Sequence, residues 1–99
     1  MKKLCYVKIH EVRGEVVVSI CDADLLGKKF RQGNITIDFS SSFFGGKLME
    51  IDQALMLLET ATIASLFGEN VISRAIEKGL LSRDAPIRIA GIPHVQLIR

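Results

Sequence analysis

The side chains of this chain that could do covalent or acid–base chemistry are few: His10, His94, Cys5, Cys21, Glu11, Asp22 and Asp24. A catalytic centre needs a nucleophile, a base and a group that orients the base. If Leu4–Glu11 and Glu15–Cys21 form a hairpin, His10 and Cys21 share a face but stand four residue pairs apart, too far for a Cys–His couple. No serine sits in a nucleophile elbow. The histidines lack i, i+4 spacing and the cysteines lack C-x-x-C spacing, so neither pair reads as a metal site. Asp22-x-Asp24 opens like a calcium loop, yet no glycine follows at its sixth position and no glutamate at its twelfth. The expectation is no catalytic residue, no metal and no cofactor. His10 and His94 can meet only if the closing strand lies beside the first one.

Two groups of residues suit binding instead. Gly45-Gly46-Lys47 could turn backbone N–H groups toward an anion. It fails as a phosphate loop, because Leu48 follows the lysine and no glycine opens the motif. A tight turn with Phe43 or Phe44 packed beneath it is the plainer reading. A possible ligand or anion site therefore comprises His10, Gly45, Gly46, Lys47 and His94. The second group is cationic: Lys8, Arg13, Lys28, Lys29, Arg31 and Lys47, with Tyr6, Phe43 and Phe44 nearby in sequence. Cations around an aromatic platform suit single-stranded RNA, which is held by phosphate neutralisation and base stacking. The same cations also read as an ordinary solvated face, and neither an RNP-type nor a GXXG signature accompanies them.

These residues must be positioned by strands and two helices. Leu4–Glu11 and Glu15–Cys21 alternate apolar with polar around Arg13-Gly14, the pattern of a two-residue hairpin. Pairing Val12 with Glu15 puts Val7, Ile9, Val18 and Ile20 on one side and Tyr6, Lys8, His10, Val17, Ser19 and Cys21 on the other. A slip of one residue would mix the two sets. That register sends the two cysteine sulfurs to opposite faces, which forbids a disulfide. Asp22 is expected to cap a helical turn that Gly27 ends. Ile35, Ile37 and Phe39 alternate as a further strand after the turn at Gly33-Asn34.

Ile51–Ala61 and Glu69–Lys78 have helical periodicity, with a small-residue joint from Ala61 to Gly68 between them. Ala54, Leu55, Leu58, Ala61 and Thr62 face inward in the first, and Val71, Ile72, Ala75 and Ile76 in the second. Met56 and Leu57 widen the first apolar face, through deep burial or as a patch for a partner. Gly79 ends the second helix. Ile87–Ala90 and His94–Arg99 read as strands, and Pro93 belongs at an edge, a bulge or a strand start.

The chain has 99 residues, 48% apolar and 24% charged, and a net charge of +2. That fits one domain spanning 1–99, of the α+β class: a two-layer sandwich with a mainly antiparallel sheet and two consecutive helices packed on one face. Residues 1–50 carry eight Lys/Arg against six Asp/Glu, and residues 51–99 carry five of each, so the cationic excess lies in the strand-rich half. Lys8 interrupts any apolar leader, and no run approaches the ~20 residues of a membrane span. The expected location is the cytoplasm, with no membrane partner.

Lys8-Ile9-His10-Glu11, Cys21-Asp22-x-Asp24-Leu25-Leu26-Gly27-Lys28, Phe44-Gly45-Gly46-Lys47 and Ile89-Ala90-Gly91-Ile92-Pro93-His94 together resemble the small archaeal family called domain of unknown function 424. The resemblance covers essentially the whole chain. It implies an archaeal origin and a compact two-layer α+β domain, and it carries no activity, cofactor or catalytic residue. A link to translation or RNA is a loose expectation. Three functions are weighed: a non-catalytic module binding RNA or a ribonucleoprotein, a small enzyme or ligand-binding protein around the two histidines, and a homodimer built on the first helix.

Overall fold

The structure, a computed structural model, describes residues 3–98. Strands β1 (Leu4–Val12) and β2 (Glu15–Asp22) pair in the register that the apolar alternation selects, with Val7 opposite Ile20, Lys8 opposite Ser19 and Val12 opposite Glu15. Arg13 and Gly14 turn the chain with φ of 49° and 83°. Both central residues of a type I′ turn are left-handed, which matches the twist of the strands it joins. Arginine tolerates this at a cost of about 1–2 kcal/mol.

After a 3-10 turn at Ala23–Leu25, β3 (Lys29–Gln32) and β4 (Ile35–Asp38) form a separate two-stranded sheet. A short helix α1 (Ser41–Phe44) and strand β5 (Lys47–Glu50) follow. Helix α2 (Ile51–Met56) tightens into 3-10 geometry over Leu57–Thr60, and the chain then re-enters the sheet as β6 (Ile63–Phe67). Helix α3 (Glu69–Glu77), β7 (Ile87–Ile89) and β8 (Ile92–Ile98) complete the order. The six-stranded sheet runs β5-β1-β2-β6-β8-β7, antiparallel throughout except for the parallel pair β2 and β6.

Strand β6 corrects the sequence reading most. The stretch taken as a joint between consecutive helices is an inner strand, with Ala64 and Leu66 buried on one side and Ile63, Ser65 and Phe67 directed to the other. Its small residues gave it no strand signature, and a five-residue stretch fits either period. Thr62 fixes its start. The Thr62 N–H donates to Val16 O, and Thr62 Oγ1 accepts from Val16 N at 2.8 Å. The first helix consequently stops short of Ala61.

One face of the large sheet carries α2 and α3. Cys5, Val7, Val18, Ile20, Ala64, Leu66 and Val95 meet Ala54, Leu55, Leu58, Val71, Ile72 and Ala75 in one apolar cluster. Fully burying a side chain such as Ile20 contributes about 1.5–3 kcal/mol. Ile9 departs from the expectation. It lies on this face but is 47% exposed, because it sits toward the hairpin tip. Helix α3 ends as its glycine predicts: Gly79 has φ 76°, and Leu80 N and Gly79 N donate to Ala75 O and Ile76 O in a Schellman arrangement.

The other face is partly covered, which two layers alone do not describe. Cys21, Leu25, Phe39, Phe44 and Ile92 form a second cluster, with Tyr6, Phe30, Ile37 and Phe67 against it. Phe39 is fully buried, and its ring lies 5.1 Å from Phe44 and 5.2 Å from Phe67. Helix α1 and the β3–β4 hairpin thus roof the end of the sheet where Tyr6, Cys21 and Phe67 stand.

Candidate nucleic-acid interface

Beyond that roof, the second face of the sheet shows two rows of side chains crossing β1, β2, β6 and β8. The pairing registers align Lys8, Ser19, Ser65 and Gln96 in one row and His10, Val17, Ile63 and Ile98 in the next. Cross-strand partners share a face, so a polar row runs beside a mostly apolar one. Gln96 and Ile98 are exposed, and Lys8, His10, Val17, Ile63 and Ser65 are half-buried. At the rim, Phe43 of α1 stacks on His10 with ring centroids 5.2 Å apart, and His10 Nε2 lies 3.4 Å from Phe43 O.

Ser19 is the odd member. It is fully buried, and among the described residues its Oγ is the one buried side-chain polar atom without a hydrogen-bond partner. Leaving such a hydroxyl unpaired costs about 1–3 kcal/mol. The register places Ser19 directly beside Ser65.

The two histidines are not brought together. His94 is one row above the polar row on β8, and His10 one row below it on β1. Three strand spacings of about 4.8 Å and four residue rises of about 3.3 Å separate them. His94 stacks on Phe67 with centroids 4.0 Å apart, and its Nδ1 lies 3.0 Å from Leu66 O. A carbonyl only accepts, so that nitrogen carries the proton.

The glycine turn is occupied by its own backbone. Gly45 N donates to Ser41 O and Gly46 N to Phe44 O. Gly46 crosses so close to β1 that a Cβ there would lie 1.9 Å from Val7 O. Its role is close approach of chains. Lys47 pairs with Val7 and therefore projects to the helix side at the sheet edge, away from Lys8.

The remaining cations fall in two places. Lys8 and Arg13 belong to the β1–β2 hairpin. Lys29 and Arg31 lie on one side of β3, opposite Phe30, with Lys28 just before them. Lys29 Nζ is 3.9 Å from Asp38, and Arg31 Nε donates to Gly33 O. Of the aromatic residues, Phe44 is buried and Tyr6 half-buried, which leaves Phe43 as the exposed ring.

Neither thiol is activated. Burial, followed by the charge of Asp22, pushes both Cys5 and Cys21 up to about 12, and the sulfurs sit in opposite clusters across the sheet. Thiols held protonated at neutral pH are poor nucleophiles. No group of three His, Cys, Asp or Glu residues able to hold a metal occurs among the described residues. A groove of about 580 Å³ lies between α2 and α3, and the Arg74–Asp52 ion pair joins its lining residues. Lys3 and Arg74 face Glu50, Asp52 and Glu77 there, so the groove favours no one charge of ligand.

Residues 10–99 match the family model described as Protein of unknown function (DUF424). The chain belongs to that family. It is also similar to the crystal structure of an uncharacterized conserved protein from Methanopyrus kandleri, at 30% identity and a TM-score of 0.78, over 95% of this chain and 90% of that one. No curated protein matches the chain. Within the family fold, the second-face rows were only half visible beforehand. The hairpin register gave Lys8 opposite Ser19, but Ser65 and Gln96 join them only once β6 is a strand. No helix among the described residues is long and apolar enough to cross a membrane.

Proposed function

We propose that this protein is a non-catalytic binding module for single-stranded RNA, which it engages on the uncovered half of the second sheet face. The observation that carries the reading is the pair of adjacent rows, Lys8–Ser19–Ser65–Gln96 and His10–Val17–Ile63–Ile98. An extended RNA strand is two-sided in the same way, with a polar sugar–phosphate edge and apolar base faces. The Phe43–His10 stack offers a ring surface at the rim for a base. Lys8 and Arg13 supply cations on the hairpin that forms one side of this surface, and Lys28, Lys29 and Arg31 extend the charge at the roofed end.

The enzyme alternative is weakened by the separation of His10 from His94 and by the protonated thiols. Self-association is kept as a second reading because Met56, on α2, is 71% exposed. A cytoplasmic location accompanies the RNA reading, and the Methanopyrus neighbour is compatible with an archaeal source.

The test is fluorescence anisotropy with a labelled oligouridine at several salt concentrations. Binding should weaken with a log–log slope of about 0.7 per phosphate neutralised. Phe43→Ala should lower affinity about tenfold, the loss of one stacked base. Absence of binding, or binding indifferent to salt, overturns the reading.

A further inference from the structure

We infer that a pocket on the helix side of the sheet, between α3 and the chain leading into β7, binds a monocarboxylate with a short branched apolar body. The site lies across the sheet from the proposed RNA surface and does not depend on it.

The pocket holds about 270 Å³, room for about nine waters at about 30 Å³ each. Its floor is apolar. Ile72 and Ile76 stand one turn apart on α3, with Pro93 of β8 and Pro86 beside them. Ile72 and Pro93 are buried, and Ile76 and Pro86 are half-buried. Both prolines are rigid, so seating a ligand on them orders little that was free to move. A small branched aliphatic group suits such a floor and sheds its water there.

The rim carries the charge. Arg88 Nη1 donates to Glu69 Oε2 at 2.9 Å and to Gly91 O at 2.8 Å, and its Nη2 donates to Glu69 Oε1 at 3.2 Å. This fork matches Glu69 charge for charge and fixes the guanidinium, while its Nε–H and one Nη2–H stay available. Arg83 also lines the pocket, is exposed, and has no carboxylate partner among the described residues. Two arginines against one glutamate leave the lining one positive charge in excess, which a single carboxylate balances. A dianionic phosphate would exceed it beside Glu69 and leave the apolar floor unused. Arg83 is therefore assigned to the carboxylate, and Ile72 and Ile76 to the apolar body.

The experiment follows isotope-labelled protein by NMR during titration with N-acetyl-leucine, its uncharged analogue N-acetyl-leucinamide, acetylated Ala-Ala-Leu with a free carboxyl terminus, and inorganic phosphate. N-acetyl-leucine should give saturable shifts of the Ile72 and Ile76 methyl groups and of the Arg83 Nε–H. The amide should bind about tenfold more weakly, the value of one charge-assisted hydrogen bond. N-acetyl-leucine should lose the same factor on Arg83→Gln, with the backbone amide spectrum as a check on folding. Tighter binding of the peptide assigns the carboxylate to a chain terminus, tighter binding of N-acetyl-leucine assigns it to a free acid, and either supports the site. Equal binding of acid and amide overturns the inference. So do phosphate shifts as large as those of the acid, an unchanged affinity in Arg83→Gln, or no saturable shift at all.

Discussion

Gly68 is a glycine because the carboxylate of Asp22 occupies the space where a side chain would begin. A Cβ on Gly68 would lie 2.3 Å from Asp22 Cγ, and Gly68 also holds φ at 114°. From there Asp22 accepts hydrogen bonds from Asn70 N at 2.9 Å and Val71 N at 2.8 Å, capping α3 from the end of β2. The sequence reading had Asp22 capping the helical turn that follows it; that turn is 3-10, and no side-chain cap is made there. Strands β2 and β6 run parallel, so their ends coincide and bring a distant helix start within reach.

Gly68→Ala should therefore be among the most damaging small substitutions in the chain. It adds left-handed strain of about 1–2 kcal/mol and displaces a carboxylate whose two N–H partners, the buried one of Val71 and the part-buried one of Asn70, would lose their acceptor. Urea denaturation should show a loss of about 3 kcal/mol or more. A loss below about 1 kcal/mol would mean the cap is not held as described.

Asp22 also predicts a pH dependence. Burial raises its carboxyl above the ordinary 3.8, the Asn70 and Val71 N–H groups pull it partly back, and Asp24 and Glu69 push it up again. The folded state thus holds the proton more tightly than the unfolded state. This contribution is fully present below 3.8 and is lost as pH rises through the elevated folded value. The stability advantage of the native chain over Asp22→Asn should shrink from acid to neutral pH. An advantage that grows over that interval would reverse the assigned sign.

Ser19→Ala tests the unpaired hydroxyl. Removing an unpaired buried hydroxyl should leave stability unchanged or raise it by about 1 kcal/mol, in contrast to most core truncations. Thermal unfolding of the two proteins checks this. A loss of more than about 1 kcal/mol would show that Ser19 has a partner in solution.

The thiols give a simple accessibility test. With both raised to about 12 and buried, Cys5 and Cys21 should resist an aromatic disulfide reagent until denaturant is added. Rapid reaction of either in the native state would place it outside its cluster.

How much of this was legible beforehand depended on the range of the interaction. The β1–β2 register followed from local alternation, since only one pairing keeps Val7, Val18 and Ile20 together. The end of α3 was equally local, fixed by Gly79 and its two backbone bonds. Strand β6 was not legible, because Ile63–Phe67 carries the same small and apolar residues as a helix joint. Its loss hid the alignment of Ser65 with Ser19 and of Gln96 with Ser65. Cations were readable as a set but not as a surface, because strand pleating sends Lys8 and Lys47 to opposite sides.

That pleating supplies the most direct test. Lys8→Glu and Lys47→Glu make the same charge change on opposite sides of one sheet, so electrostatics at a distance should affect them alike. Anisotropy titrations with oligouridine at low and moderate salt should show Lys8→Glu weakening binding about tenfold or more and flattening the salt slope, with Lys47→Glu changing it only slightly. Equal losses for the two variants, or a larger loss for Lys47→Glu, would contradict the assignment of RNA to the second sheet face.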